Sequence, residues 1–216
     1  MIKALVFDMD GVIIDSEPIH AGIALNVLKD FNKEASLSEL LKFSGIRNDE
    51  MWSVMRRRYG IDETVENLVE RQSQYTQQYF RHEKLKPVEG IPGLMKSARK
   101  HGLKIALATS SPREFAEHVL AKVGLIEYFD ALVTGDDISH SKPDPEIYLK
   151  AAELLGIAAD ECIAIEDAPA GIESAKRAGM KCVAFIGSGQ QDTTWADFVV
   201  SSIKDIHLKN QPRLYP

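Results

Sequence analysis

Apolar residues along this chain follow two rhythms. One is a set of short runs: Ala4-Leu5-Val6-Phe7, residues 103–108, Ala131-Leu132-Val133, Cys162-Ile163-Ala164-Ile165, residues 182–186 and Phe198-Val199-Val200. Runs of this length without strict alternation suit strands buried on both faces of a sheet. The other rhythm is helical. Over residues 112–123, Phe115, Val119, Leu120 and Val123 share one face, and helices are also predicted over about 144–155 and 169–178. From about residue 87 the two rhythms alternate. That order predicts an α/β fold, a doubly wound and mostly parallel Rossmann-like sheet with helices on both faces.

Residues 17–80 break the alternation. They hold helical stretches over about 19–31, 49–59 and 64–80 and no convincing strand, and Met51, Trp52 and Met55 at helical spacing suit a local core. An all-helical domain inserted after the first strand is the economical reading. Its expected span is 16–83, with the α/β core formed by 1–15 and 84–216 and hinges near Asp15 and Lys86. Pro87, Gly90, Pro92 and Gly93 punctuate the return to the core. Helix starts are marked by Ser16-Glu17-Pro18, by Asp144-Pro145-Glu146 with an aspartate cap, and by Ser111-Pro112-Arg113-Glu114, which reads as a capping box.

Composition narrows the function classes. The 216 residues carry 26 Lys and Arg against 32 Asp and Glu, a net charge of −6, and Arg56-Arg57-Arg58 reads as a solvated helix face. A nucleic-acid partner is therefore not expected. No stretch approaches the roughly 20 apolar residues that span a bilayer, and the N-terminal run is too short and acidic for a signal peptide. Cys162 and Cys182 lack metal-type spacing and read as buried, reduced thiols. A cytoplasmic monomer is the expected setting.

The polar residues at the ends of the apolar runs carry the chemistry. In an open parallel sheet, ligands bind beyond the carboxyl ends of the strands. The first run ends in Asp8-Met9-Asp10-Gly11, the second in Thr109-Ser110-Ser111, the third leads to Ser141-Lys142-Pro143, and the fourth ends in Glu166-Asp167. Alternation along an extended chain would aim Asp8 and Asp10 to the same side. Two carboxylates ~5 Å apart at an effective dielectric of ~20 repel by ~3 kcal/mol. A cation joining Asp8, Asp10, Glu166 and Asp167 would offset that repulsion, and an all-oxygen donor set favours Mg2+ over Zn2+. Thr109, the amides opening the next helix and Lys142 could then hold a phosphate. A carboxylate nucleophile can form an aspartyl-phosphate, while a second carboxylate handles protons.

Asp8-Met9-Asp10-Gly11-Val12, Thr109-Ser110, Lys142-Pro143 and Glu166-Asp167-Ala168-Pro169-Ala170-Gly171 together resemble the motifs of the haloacid dehalogenase superfamily. Within it the chain is most similar to the β-phosphoglucomutase-like sugar phosphatases with a helical cap. The resemblance implies that Asp8 is the nucleophile and Asp10 the general acid/base. It implies Mg2+ on Asp8, the Asp10 backbone carbonyl and Asp167, with Glu166 in or near the coordination shell. Thr109, Ser110 and Lys142 would bind the phosphoryl group. In the cap, His20 resembles a histidine that couples closure to proton transfer, and Gly45-Ile46-Arg47 resembles a substrate-contacting loop. Against this stand plainer readings: a structural helix histidine for His20, and a surface arginine for Arg71. The other histidines, at 82, 101, 118, 140 and 207, show no evident partner in the sequence. The expected activity is hydrolysis of a small phosphorylated metabolite, a sugar phosphate first. A β-phosphoglucomutase and a catalytically silent phosphate-binding or metal-binding module are the two alternatives.

Overall fold

The computed structural model describes residues 1–43, 47–187, 191–208 and the backbone of 214–215; Gly45 and Ile46 of the expected substrate loop lie outside the described residues. The chain divides into two compact units, Met1–Ile14 with Leu85–Pro216, and Asp15–Lys84.

The first unit is built on a six-stranded sheet. Its strands are β1 (Ala4–Phe7), β2 (Lys104–Ala108), β3 (Ala131–Val133), β4 (Cys162–Glu166), β5 (Lys181–Phe185) and β6 (Phe198–Val200), in the order β3-β2-β1-β4-β5-β6. Every pairing is parallel. β1 is central, and all four of its residues are buried, as its unbroken apolar run requires. The chain order reverses direction at β1, so the carboxyl ends of β1 and β4 flank the switch point where such sheets take ligands. Register then places the chemistry. Phe7 pairs with both Leu107 and Ile165, so Asp8 follows abreast of Glu166 and Thr109 lies just beyond on the other side. A one-residue slip would turn these groups to the opposite face.

Helices α5 (Ile91–Lys100), α6 (Arg113–Lys122), α7 (Glu146–Leu155) and α8 (Pro169–Arg177) complete this unit. α7 sets Ile147, Tyr148, Ala151, Ala152 and Leu155 into a core shared with β1, β2, β4 and β5. A two-stranded antiparallel pair, His207–Leu208 with Leu214–Tyr215, follows the sheet, an element too short to leave a periodic signal.

The capping-box expectation at Ser111 does not hold. α6 begins at Arg113 with Pro112 at the cap position, and no side chain of that segment caps it. The Arg113 amide is met instead by Asp136, at 2.9 Å. Ser111 instead turns its hydroxyl to Asp10, donating to Oδ2 at 3.0 Å. At α7 the aspartate does serve: Asp144 Oδ1 accepts from the Glu146 amide at 2.9 Å.

The second unit is helical: α1 (Glu17–Asp30), α2 (Leu37–Leu40), α3 (Asn48–Tyr59) and α4 (Val65–His82). Its core gathers Ala24, Val27, Leu28, Leu40, Met51, Trp52, Met55, Ile61 and Leu68, so the Met51–Trp52–Met55 stripe is packing. The indole of Trp52 donates to buried Gln72 at 2.5 Å. α2 is a single capped turn, with Ser36 accepting from the Glu39 amide, and is too short to show helical periodicity.

Candidate active site

Four strand ends and one lysine make the site. Asp8, the first residue past β1, is 7% exposed, and its amide donates to Ile165 on β4. Lys142 reaches in from the segment after β3. Its three N–H groups go to Asp8 Oδ1 at 2.6 Å, Glu166 Oε1 at 2.6 Å and the Ala108 carbonyl at 3.1 Å. The lysine side chain is 11% exposed and that of Glu166 1%.

Glu166 is saturated. Oε1 also accepts from Tyr148 at 2.7 Å, and Oε2 accepts from the amides of Asp167 and Ala168 at 3.1 and 3.3 Å. Four bonds fill the acceptor capacity of a carboxylate. Glu166, one of the four acids expected to share a metal, thus has its lone pairs committed, and it holds Lys142 in place.

The electrostatics are strained. Burial, with repulsion from Glu166 and Asp10, pushes the Asp8 carboxyl up to about 7 against the opposing pull of Lys142. Burial alone would lower Lys142, but Asp8 and Glu166 overcome it and hold the ammonium above its usual range. The ammonium 2.6 Å away favours the ionised form of Asp8 without offsetting its burial, so a charged Asp8 here asks for further positive charge. Tyr148 is driven well above its usual value by burial, then by Glu166 and Asp8, so it remains a donor.

Asp10 is held apart from Asp8. β1 ends at Phe7, Gly11 turns the chain at φ 79°, and the Gly11 amide donates to Ile14. Oδ2 of Asp10 takes the Ser111 hydroxyl, while Oδ1 is buried with no hydrogen-bond partner among the described residues. The two carboxylates therefore have separate holders. Gly11 also leaves room: a Cβ there would lie 1.9 Å from Asp167 Oδ2. Gly171 does the same for Glu166, whose Oε1 would lie 1.9 Å from an added Cβ.

Oxygen atoms of Asp8, Glu166 and Asp167 lie within 4.8 Å of one another. An all-oxygen cluster, excess negative charge against one lysine and the unpartnered Oδ1 of Asp10 fit a hard divalent cation. A second acidic group, His140, Asp144 and Glu146, is surface-lying, and Glu146 already binds Lys150, His140 and two amides.

On the phosphate side, Thr109 is 1% exposed and its amide donates to Val133. Its hydroxyl accepts from the Ser111 amide at 3.1 Å, so it helps shape the turn. Ser110 is exposed. In the helical unit His20 lies beside the Phe80 ring, at 6.2 Å between centroids. Arg47 is exposed and bonded twice to Asp49 at 3.0 Å, and Arg71 binds Asp30 and lies over Phe31. Two of the other histidines do have partners: His101 bonds the Ser97 carbonyl at 2.8 Å and His140 meets Glu146 at 3.3 Å. Tyr148 and Ser111 were missed by the sequence reading. A tyrosine on the otherwise apolar face of α7 was the available signal, because a buried hydroxyl must find a partner.

Residues 5–185 match the family of haloacid dehalogenase-like hydrolases. The chain is 32% identical over 180 residues to a phosphorylated carbohydrates phosphatase of Thermotoga maritima, covering 83% of each chain. It is 34% identical over 230 residues to a beta-phosphoglucomutase of Bacillus subtilis, covering 96% of this chain and 93% of the relative. A crystal structure of beta-phosphoglucomutase from Clostridium difficile superposes with a TM-score of 0.74 at 26% identity, covering 94% of this chain and 92% of that one. With the parallel sheet, the acids at its switch point and a match that spans all four strand-end motifs, the chain belongs to the haloacid dehalogenase-like hydrolase family.

Proposed function

We propose that this protein is a Mg2+-dependent phosphatase that hydrolyses a small phosphorylated metabolite, a sugar phosphate, through an aspartyl-phosphate. The observation that carries the reading is the pair of separately held acids: Asp8 buried against Lys142, and Asp10 fixed by Ser111 with one oxygen unpartnered. In this reading Asp8 attacks and Asp10 moves protons.

In the first step an Asp8 carboxylate oxygen bonds to phosphorus as the ester P–O bond breaks, and Asp10 gives its proton to the leaving oxygen. In the second, water attacks the phosphoryl group while Asp10 takes its proton, and the P–O bond to Asp8 breaks to release phosphate. Lys142, held by Glu166, meets the negative charge that arrives on Asp8. Thr109, Ser110 and the amides opening α6 orient the phosphoryl oxygens. Mg2+, held by Asp8, Asp167 and the Asp10 backbone carbonyl, would supply charge stabilisation on those oxygens. These groups act on the phosphoryl group common to all esters, so the choice of ester is assigned to side chains of the helical unit, Arg47 and His20 first. The sugar-phosphate class is supported by the carbohydrate phosphatase relative.

The test is phosphate release from a panel of sugar phosphates, nucleotides and phosphoglycolate, with Mg2+ and after chelation. Asp8→Asn is expected to lose at least about 10³-fold in turnover and all of the trapped phosphoenzyme. Turnover retained by Asp8→Asn, or unaffected by thorough chelation, overturns the mechanism. The mutase relative supports a second reading, in which a sugar hydroxyl replaces water as acceptor. Conversion of β-glucose 1-phosphate, primed with the bisphosphate, to glucose 6-phosphate without matching phosphate release would decide for it.

A further inference from the structure

The loop Thr109–Ser111 is held from within and from outside. The Ser111 amide bonds Thr109 Oγ1 and its hydroxyl bonds Asp10, while Ser110 is exposed and α6 behind it lacks a cap from its own segment. The remaining described ties run to β3, through Val133, and to the turn after it. The Gly135 amide donates to the Ser111 carbonyl at 2.9 Å. Asp136 Oδ2 accepts from the Arg113 amide, capping α6 from outside. Asp137 Oδ2 gathers three donors: the Thr134 amide and hydroxyl at 2.8 Å each, and the Arg113 guanidinium at 2.6 Å. The same guanidinium reaches the Leu132 carbonyl at 3.2 Å. Behind them Thr134 is fully buried, and Lys150 of α7 donates to the Asp137 carbonyl.

Gly135 is the telling residue. Its φ lies outside the left-handed region, so the backbone does not demand glycine. Space does: an added Cβ would stand 2.4 Å from the Ser110 carbonyl oxygen and 3.1 Å from its carbon. The two loops are in backbone contact, with nothing flexible between them to give way.

We infer that the turn Thr134–Asp137 sets the position of the Thr109–Ser111 loop, and that Gly135, Asp136 and Asp137 are positioning residues for phosphate binding. This rests on the proposed function only in taking that loop as the phosphate-binding one. The turn touches no substrate. It acts by fixing where the Ser110 backbone and the first amides of α6 point, and hence how well they meet phosphoryl oxygens.

The experiment measures calorimetric binding of inorganic phosphate, in Mg2+, to the intact protein and to Gly135→Ala and Asp137→Asn. kcat/KM on the best ester and thermal midpoints are recorded alongside. Gly93→Ala, whose Cβ enters open space on α5, is the control. Both test variants are expected to bind phosphate about tenfold more weakly, about 1.4 kcal/mol, with kcat/KM falling at least as far. Gly93→Ala should match the wild type. Test variants that lose thermal stability yet keep wild-type phosphate affinity overturn the inference, as does a wild type that binds no phosphate. If Gly135→Ala does not fold, the near-isosteric Asp137→Asn decides. A wild type that binds phosphate but hydrolyses no ester refutes the phosphatase reading instead, and the variants' affinities still decide this one.

Discussion

The two units of the molecule treat charge in opposite ways. In the helical unit each described ion pair keeps an exposed partner: Arg47 pairs with Asp49 at 77% and 50% side-chain exposure, Arg71 with Asp30 at 44% and 28%, and Arg58 at 60% with the more buried Glu39 at 17%. What it buries is neutral, the Trp52–Gln72 bond. In the α/β unit, Lys142 at 11% exposure sits between Asp8 at 10% and Glu166 at 1%. Exposed pairs contribute little, whereas burying charges costs several kcal/mol per ion before attraction returns it. A fold needs no such triad, since the helical unit does without one. Buried charge kept against its cost marks the place where chemistry is done.

Removing the lysine should break that contrast most severely. Lys142→Met leaves two buried carboxylates facing each other and is expected to cost about 3–5 kcal/mol in denaturant unfolding, with activity lost. The matching change in the other unit, Arg47→Met, should leave the unfolding midpoint unmoved and alter only the KM for sugar phosphates. Equal losses from the two would erase the distinction.

Gly171→Ala sharpens the comparison on the buried side. In an exposed helix this change stabilises by up to about 1 kcal/mol. Here the Cβ would lie 1.9 Å from Glu166 Oε1, so the sign reverses: a cost of about 3 kcal/mol and a fall in kcat/KM of at least about tenfold are expected. Thermal denaturation and steady-state kinetics read both. Tyr148→Phe is milder. It removes one donor from Glu166 and keeps the ring 5.3 Å from the Lys142 ammonium, so about 1.5 kcal/mol and a few-fold drop in kcat are expected. A fully active, equally stable Tyr148→Phe would remove Tyr148 from the set that holds Lys142.

The smallest effect belongs to an exposed acid. Lys150, followed by the His140 amide, holds the Glu146 carboxyl down to about 2. A depressed carboxylate contributes stability that is present above its ordinary value of 4.5 and lost as pH falls through about 2. Carbon-detected titration of Glu146 should place its midpoint there. A midpoint near 4.5 would show that its contacts to Ser139 and His140 do not persist in solution.

Much of this architecture was legible in one dimension. The apolar runs at Ala4–Phe7, Ala131–Val133 and Phe198–Val200 became strands with the bounds read from them; central β1 is buried throughout, as an unbroken apolar run suits, whereas the edge strands β3 and β6 bury only Val133 and Val200. The acids and the threonine at the ends of those runs could be assigned to one edge because a parallel sheet puts all its carboxyl ends together. Helix starts were read less well. Ser111-Pro112 carried every local mark of a cap, yet its hydroxyl went to Asp10, a residue 101 positions away that local chemistry does not reveal.

Sequence alone marked the six strands of the sheet, helices α6, α7 and α8, and Asp8, Asp10, Thr109, Lys142, Glu166 and Asp167 as candidates at strand ends, since periodicity and strand-end chemistry are local properties; α5 was not read. Tertiary structure decided who holds whom. Tyr148 meets Glu166 across 18 residues, Asp136 caps Arg113 across 23, and Gly135 owes its identity to the Ser110 carbonyl rather than to its own backbone. Those partners are set by sheet register and by the approach of loops distant along the chain, which no local pattern encodes.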